Sequence, residues 1–255
     1  MPSGPTLEEV ALALDQARRD AAPIDFVTST LPDLDWTEAR SIARLCDQLR
    51  FDAGEEQIGW KLGWTSAAMR TALGIDRPNW GTLWASQVAT STLDLEDYIH
   101  PKVEPELVWR SAADLPDDIS AAELKQLGGE WALGIEVVDP RFPSFNFEAL
   151  DNTADNSSSA AIGLGEFSTT STELHDVEVS FSNETETSTG LGDQTMGSPW
   201  EAIAWLVRSL AEEQLHVKAG EIIFTGGLTA PFDVVSGATY ALSSADLGSI
   251  ELRVL

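Results

Sequence analysis

The sequence predicts an α+β fold, with an N-terminal helical portion over residues 1–57 and a mixed β-core domain over residues 58–255. Two observations lead to this prediction. Apolar side chains recur at helical spacing over residues 5–20 and 36–50, whereas the second half of the chain breaks into short β-branched and apolar runs separated by turn residues. Because no internal repeat or low-complexity linker divides the chain, we expect the two portions to form one compact unit.

The elements of the first half carry recognisable start and stop signals. Asp35 precedes the second helix and is a candidate N-cap. The first strand is expected over residues 58–64. Thr65 and Ser66 then cap a short helix over residues 67–73, and Gly74 ends this helix because glycine readily adopts the left-handed conformation of a helix C-terminus.

The remaining elements follow in order. The stretch over residues 98–109 leads into the strand that contains Glu104 and Glu106. Ser120 and Glu123 resemble a capping box for a short helix that ends at Gly128. A further helix is predicted over residues 198–213, with proline in its first turn. Further strands are predicted over residues 131–138, 160–164, 177–182, 221–225, 239–243 and 249–254.

The composition is strongly acidic. The chain has 42 acidic and 15 basic residues and a formal net charge of −27 at pH 7. A field this negative repels nucleic acid and anionic membranes, so neither is expected as a partner. Nine tryptophans and a hydrophobic content of 43% indicate a folded protein rather than a disordered acidic chain. A surface of this kind fits a high-salt cytoplasm, where charges are strongly screened, and adaptation to such a habitat is one hypothesis for the acidic bias.

The cellular setting is predicted from what the sequence lacks. Cys46 is the single cysteine, so no disulfide forms within the chain, which is typical of a reducing compartment. The N-terminus lacks the basic and apolar regions of a signal peptide, and no apolar run approaches the roughly 20 residues that span a bilayer. We therefore expect a soluble cytoplasmic protein.

Three glutamates lie in apolar runs that are predicted strands. Glu104 and Glu106 are two positions apart, so their side chains project from the same face of an extended chain, and Glu136 is the charged residue of another apolar run. An ionised carboxylate in apolar surroundings must be paired, protonated or bound to a cation. Converging carboxylates suit a hard cation such as Mg²⁺ or Mn²⁺. Pairing of each glutamate with a basic residue on its strand is the alternative, and spacing alone does not decide between them.

Lys61 and two loops are the other candidates. Lys61 stands alone in an apolar strand. It is either a functional cation, which binds an anionic substrate or moves a proton, or a surface lysine whose ammonium group stays in water. The polar run over residues 151–159 either satisfies its own backbone as a loop or lines a pocket. The glycine-rich run over residues 225–229 either makes a sharp turn or brings backbone N–H groups to a ligand.

Several other kinds of site lack their sequence signatures. Residues 190–192 do not complete a dinucleotide-binding fingerprint, and no Gly-x-Ser-x-Gly elbow occurs. His100, His175 and His216 share no close spacing, so a histidine metal site is not predicted.

Five segments in a fixed order resemble the hydratase and decarboxylase branch of the fumarylacetoacetate hydrolase superfamily, and matching stretches run from about residue 23 to the C-terminus. They are Gly59-Trp60-Lys61-Leu62-Gly63-Trp64-Thr65-Ser66, Glu104-Pro105-Glu106, Ile135-Glu136-Val137-Val138-Asp139-Pro140-Arg141, Ala154-Asp155-Asn156-Ser157-Ser158 and Thr225-Gly226-Gly227-Leu228-Thr229. The resemblance implies the mixed β-roll of that superfamily, preceded by helices, with residues 58–255 as the catalytic domain.

The resemblance also implies roles for individual residues. Three glutamates match the family's ligands for Mg²⁺ or Mn²⁺, and Lys61 matches its active-site lysine. The metal ligands are Glu104, Glu106 and Glu136, and the substrate-binding candidates are Asp155, Asn156, Ser158, Thr225 and Thr229. The implied partners are a small 2-oxo acid as substrate and further copies of the chain, with association with a hydratase of the same pathway also implied.

The reaction type is left open between two enzymes. Hydratases of the family usually carry an aspartate where this chain has Asn79, and an amide cannot transfer a proton as a carboxylate does. Residues 99–104, 141–147 and 225–230 look more like 4-oxalocrotonate decarboxylases, so decarboxylation is favoured over hydration. Trp64 and Trp84 depart from both patterns and indicate an altered pocket. A C–C bond hydrolase and a non-catalytic partner subunit are the remaining alternatives.

Overall fold

The structure is a computed structural model that describes residues 4–255. It begins with three helices, α1 (Leu7–Asp20), α2 (Val27–Thr30) and α3 (Trp36–Asp52). Capping boxes begin α1 and α3, and the one on α3 joins Asp35 to Glu38, which confirms Asp35 as its N-cap. Within the described part of the chain, no helix is long and apolar enough to cross a membrane.

The strands and later helices follow the predicted order closely. Ser66, Ser120 and Ser198 cap their helices, and Gly74 ends its helix in a left-handed conformation. The elements are β1 (Gln57–Gly63), α4 (Ala67–Leu73), β2 (Asn79–Trp84), β3 (Val88–Ala89), β4 (Thr92–Leu93), β5 (Lys102–Arg110), α5 (Ala121–Leu127), β6 (Glu130–Val138), α6 (Ala149–Ala154), β7 (Ser159–Leu164), β8 (Glu178–Ser182), β9 (Thr187–Leu191), α7 (Pro199–Glu212), β10 (Ile222–Phe224), β11 (Phe232–Asp233), β12 (Thr239–Ser244) and β13 (Gly248–Val254).

The strands form two mixed sheets. The larger sheet has the order β2-β1-β10-β5-β6-β7-β3, with β11 pairing alongside β5, and the smaller has the order β4-β13-β12-β8-β9. Most neighbours are antiparallel, whereas β1–β10, β3–β7 and β4–β13 are parallel pairs. This arrangement confirms the predicted α+β class with a mixed, curled β-core.

The two faces of the central pair β5–β6 have different environments. One face carries side chains such as Leu107, Trp109 and Leu133, which are buried in the main core together with α7 and the smaller sheet. The opposite face carries the three glutamates at one end and a small apolar cluster around Val108 and Phe224 at the other. The carboxylates therefore stand on a sheet whose other face is fixed by the main core.

The structure corrects the interpretation of the polar run over residues 151–159 as a loop. Its first residues belong to α6, although Asp151, Asn152 and Thr153 are weak helix formers. Asp151 accepts hydrogen bonds from both the backbone N–H and the hydroxyl of Thr28, so tertiary contacts stabilise this helix. Five of the observed strands, β2, β3, β4, β9 and β11, were not predicted from the sequence.

Candidate active site

The register of β5 and β6 brings the three predicted glutamates together. Glu104 lies directly opposite Glu136, and Glu106 lies opposite Gly134 on the same face of the sheet. One carboxylate oxygen of each glutamate lies within 4.8 Å of the others. Gly134 leaves room for the side chains of Phe224 and Val108, because a Cβ at this position would lie 2.5 Å from each of them.

Burial and mutual repulsion make this cluster costly to ionise. Glu106 and Glu136 are both fully buried. Desolvation, followed by the charge of Glu136, raises the pKa of Glu104 to about 7. The same two causes raise the pKa of Glu106 well above its ordinary value, and desolvation raises the pKa of Glu136. A bound cation would offset both costs.

The hydrogen bonds around the carboxylates leave several lone pairs free. Glu106 Oε2 accepts the backbone N–H of Gly226 at 2.7 Å, whereas Glu106 Oε1 and Glu136 Oε1 have no hydrogen-bond partner among the described residues. The one basic side chain in ion-pair distance of the cluster within residues 4–255 is Lys61, 3.2 Å from Glu136. Ion pairing therefore accounts for only one of the three glutamates, and the free oxygens fit a divalent metal ion.

Lys61 holds its ammonium group inside the protein, not in water. The residue is 2% exposed, and its Nζ lies 3.0 Å from the carbonyl oxygen and 3.2 Å from the hydroxyl of Ser157. Ser157 is the middle residue of three consecutive left-handed residues, with φ between 50° and 57°. This strained turn presents the carbonyl oxygen of Ser157 to Lys61, and such strain is common where function requires it. Lys61 thus contacts both the carboxylate cluster and the 151–159 segment.

A buried chain of polar side chains continues from this turn. Asn79 donates from Nδ2 to Asn152 Oδ1 at 2.9 Å, and Asn152 donates to Ser158 Oγ at 2.8 Å. Asn152 and Ser158 both line a cavity in front of Lys61 and Glu104, whereas Asn79 is not among its lining residues. Asn79 is therefore placed to orient the cavity wall through Asn152.

The other predicted substrate-binding residues make contacts within the protein. Asp155 binds the guanidinium of Arg141, and the amide of Asn156 pairs with backbone atoms of Thr82. The hydroxyl groups of Thr225 and Thr229 donate to backbone carbonyl groups. These four residues shape the site from outside the cavity, and their contact with substrate stays a prediction.

The glycine-rich turn packs tightly against the carboxylates. Gly226 has φ of +105°, and a Cβ there would lie 2.1 Å from Thr65 Oγ1. A Cβ at Gly227 would lie 2.8 Å from Glu104 Oε2. Only glycine allows this backbone to pass between Thr65 and the glutamates while donating to Glu106. The turn thus supplies a backbone N–H to the site.

A cavity of about 730 Å³ opens in front of Glu104 and Lys61. Its apolar wall includes Trp36, Trp64, Phe145 and Phe147. A second lysine, Lys102, also lines it, with Nζ 5.2 Å from the centre of the Phe145 ring and 2.6 Å from Asp233. No histidine is among the described residues that line the cavity.

Lys102 and Thr65 line the cavity but were not among the predicted site residues. The spacing of Lys102 from Glu104 was a usable signal, because residues two apart on a strand share a face. Thr65 gave only a helix-capping signal, and nothing in its local sequence indicated a cavity position.

Comparison with known proteins relates this geometry to metal-dependent enzymes. The 2-keto-4-pentenoate hydratase of Paraburkholderia xenovorans (strain LB400) is 30% identical over 249 residues, which cover 95% of this chain and 93% of the relative. A 4-oxalocrotonate decarboxylase of Pseudomonas putida is 29% identical over 255 residues, with coverage of 94% and 93%. No family model matches the chain.

Solved structures agree with this relationship. The 4-oxalocrotonate decarboxylase from Pseudomonas putida G7, complexed with magnesium and adipate, superposes with a TM-score of 0.93 at 26% identity, covering 98% of this chain and 97% of that chain. The fumarylpyruvate hydrolase from Pseudomonas aeruginosa, in complex with Mn²⁺ and pyruvate, shares the fold at a TM-score of 0.62 and 18% identity, covering 78% and 89%. The chain belongs to the hydratase and decarboxylase branch of the fumarylacetoacetate hydrolase superfamily.

Proposed function

We propose that this protein is a divalent-metal-dependent lyase of the 4-oxalocrotonate decarboxylase type, which converts 2-oxohex-3-enedioate into 2-hydroxypenta-2,4-dienoate and CO₂. Glu104, Glu106 and Glu136 would hold Mg²⁺ or Mn²⁺. Relatives of known structure contain magnesium, calcium or manganese, which supports a hard cation here.

The presence of a second lysine, Lys102, in the cavity is the observation that supports a dicarboxylate substrate. The chain has a net charge of −27, yet Lys61 and Lys102 both face one cavity. A hexenedioate has a carboxylate at each end and matches two separated cations, whereas the hydratase substrate has one carboxylate. Asp233, which pairs with Lys102, is 80% exposed and can turn into solvent when a substrate carboxylate approaches.

The reaction breaks the bond between C5 and the departing carboxylate, and the electron pair moves through the conjugated system to the 2-oxo group. A bound divalent cation supplies Lewis-acid polarisation of that group. Lys61 would stabilise the negative charge that develops on the oxygen or supply the proton that completes the enol product. The apolar wall formed by Phe145 and Phe147 excludes water from the departing CO₂, which strengthens these electrostatic contacts.

Hydration of 2-hydroxypenta-2,4-dienoate is the alternative, because the relatives include hydratases as well as decarboxylases. Hydratases from two Burkholderia-related species are 30% and 31% identical to this chain. The structure offers no carboxylate at position 79, because Asn79 takes that place and is hydrogen-bonded to Asn152. A hydratase would therefore need another group for its proton transfer.

The direct test is to incubate the purified protein with Mg²⁺ or Mn²⁺ and 2-oxohex-3-enedioate while measuring CO₂ release, with 2-hydroxypenta-2,4-dienoate assayed in parallel for water addition. We expect CO₂ release without hydration. Hydration alone would move the protein to the alternative. Inactivity on both substrates with metal bound would refute both reactions.

Lys102→Met tests the choice of a dicarboxylate. Loss of a hydrogen bond to a charged group costs about 1.5–3 kcal/mol, so inhibition by 2-oxoadipate should weaken by about 10-fold or more. Inhibition by the monocarboxylate 2-oxopentanoate should not change. Lys125→Met is the matched control, because Lys125 pairs with Glu173 and both side chains are at least 50% exposed. Equal weakening of both inhibitors would contradict the assignment.

A further inference from the structure

Thr65 carries a buried hydroxyl group that nothing in the described chain satisfies. The residue is 2% exposed, and its Oγ1 has no hydrogen-bond partner. A buried hydroxyl without a partner costs about 1–3 kcal/mol relative to a satisfied one. Because Thr65 lines the cavity in front of Glu104, a ligand in that cavity can supply the missing partner.

Hydrogen bonds to backbone carbonyl groups hold the chain at Thr65 in place. Arg70 donates from one guanidinium nitrogen to the carbonyl oxygens of Trp64 at 2.6 Å and Thr65 at 3.0 Å. The backbone N–H of Met196 also donates to the Thr65 carbonyl. Trp64 has φ of 55°, an unfavourable left-handed conformation for a tryptophan. Several interactions thus hold a backbone position that leaves a polar group unpaired.

A single glycine turn lies between the Thr65 hydroxyl and the carboxylate cluster. Gly226 separates them: a Cβ on this residue would touch Thr65 Oγ1, and its backbone N–H donates to Glu106. The next residue, Gly227, approaches Glu104. The glycine turn therefore has Thr65 on one side and the glutamates on the other, and Thr65 and Glu104 line the same cavity.

We propose that Thr65 is a further substrate-binding residue, whose hydroxyl donates a hydrogen bond to the carboxylate of the bound 2-oxo acid that lies beside the glutamates. This inference rests on the proposed function, since it requires a carboxylate ligand in this cavity. An anionic oxygen is the favoured partner because the hydroxyl is a donor with no acceptor within residues 4–255. The role is distinct from metal binding, which the glutamates provide.

The isosteric variant Thr65→Val tests this role by separating ligand binding from stability. Without ligand, the variant should be as stable as the wild type or more stable, because it removes an unsatisfied buried hydroxyl. The dissociation constant of 2-oxoadipate in the presence of Mg²⁺, measured by calorimetry, should rise about 10- to 100-fold. The affinity for Mg²⁺ alone should not change. Thr65→Ser keeps the hydroxyl and should bind 2-oxoadipate within a few-fold of the wild type.

Three outcomes would overturn the inference, and they can be told apart. Wild-type affinity for 2-oxoadipate in Thr65→Val would show that the hydroxyl does not contact the ligand, while the proposed function would stand. A marked loss of ligand-free stability would assign the hydroxyl a structural role. If the Mg²⁺-loaded wild type binds neither 2-oxoadipate nor adipate, both this inference and the proposed function are wrong.

Discussion

Glu106→Gln should stabilise the metal-free protein while removing its response to Mg²⁺. The amide keeps an oxygen that can accept the backbone N–H of Gly226, and it removes one charge from the cluster. One oxygen of each glutamate lies within 4.8 Å of the others, so a fully ionised pair repels by about 3–4 kcal/mol at an effective dielectric constant near 20. Desolvation and the charge of Glu136 raise the pKa of Glu106 well above its ordinary value, so we expect the gain in stability to be smaller than this full repulsion.

The response of the wild type to Mg²⁺ should be large. At a free concentration 100-fold above its dissociation constant, a ligand adds about 2.7 kcal/mol to the free energy of unfolding. For a protein of this size, this corresponds to a rise in Tm of about 5–11 °C. The variant should show less than about a quarter of that rise, because a neutral amide replaces one of three anionic ligands.

Thermal unfolding with MgCl₂, compared with NaCl at equal ionic strength, measures both effects. The salt control is essential because a chain with a net charge of −27 also responds to screening. Glu130→Gln is the matched control on the neighbouring strand β6, where Glu130 pairs with Arg110 of β5 and is 45% exposed; its Mg²⁺ response should equal that of the wild type. A full Mg²⁺ response in Glu106→Gln, or a less stable metal-free variant, would refute the site.

Three further predictions concern Lys61, Asp47 and the surface. Lys61→Met should fold but lose about 3–5 kcal/mol, because Glu136 loses its buried partner, and turnover should fall by about 10³-fold or more; an active variant would contradict a catalytic Lys61. Burial raises the pKa of Asp47 to about 6 from 3.8, so the folded state binds this proton more tightly and the free energy of unfolding should fall by about 2 kcal/mol as pH rises from 4 to 6. In denaturant titrations, Asp47→Asn should show a smaller decrease in the free energy of unfolding between pH 4 and pH 6. A decrease equal to that of the wild type would contradict the raised pKa of Asp47. If the acidic surface is a high-salt adaptation, Tm should rise between 0.1 M and 2 M NaCl, whereas a constant Tm would rule it out.

Local signals predicted the parts of the fold that depend on local chemistry. Asp35 and Ser66 cap their helices because short polar side chains satisfy free N–H groups, and Gly74 ends a helix because it tolerates positive φ. Apart from the start of β5, the ends of the predicted strands lie within about one residue of the observed ones, because turn residues flank most of these strands. The stretch from Asn79 to Trp84 was missed, although it is buried at every position, because asparagine and glycine weaken the strand pattern.

The site itself depended on information that no local pattern contains. Spacing placed Glu104 and Glu106 on one face of a strand, but the approach of Glu136 depends on how β5 and β6 pair. Likewise, the contact between Lys61 and Ser157 joins residues 96 positions apart. The family resemblance assembled these residues as a set, and the structure brings the metal-ligand candidates and Lys61 together.

The carboxylates also bear on how the chain selects its strand pairing. A one-residue slip between β5 and β6 would turn one strand over and carry its glutamates to the face that packs against Trp131 and α7. Buried, unpaired charges there would make the misaligned sheet far less stable than the native one. The residues proposed for catalysis would thus also act during folding, as a penalty against incorrect alignment. Replacing all three glutamates with leucine could yield a stable protein with a less well-defined sheet.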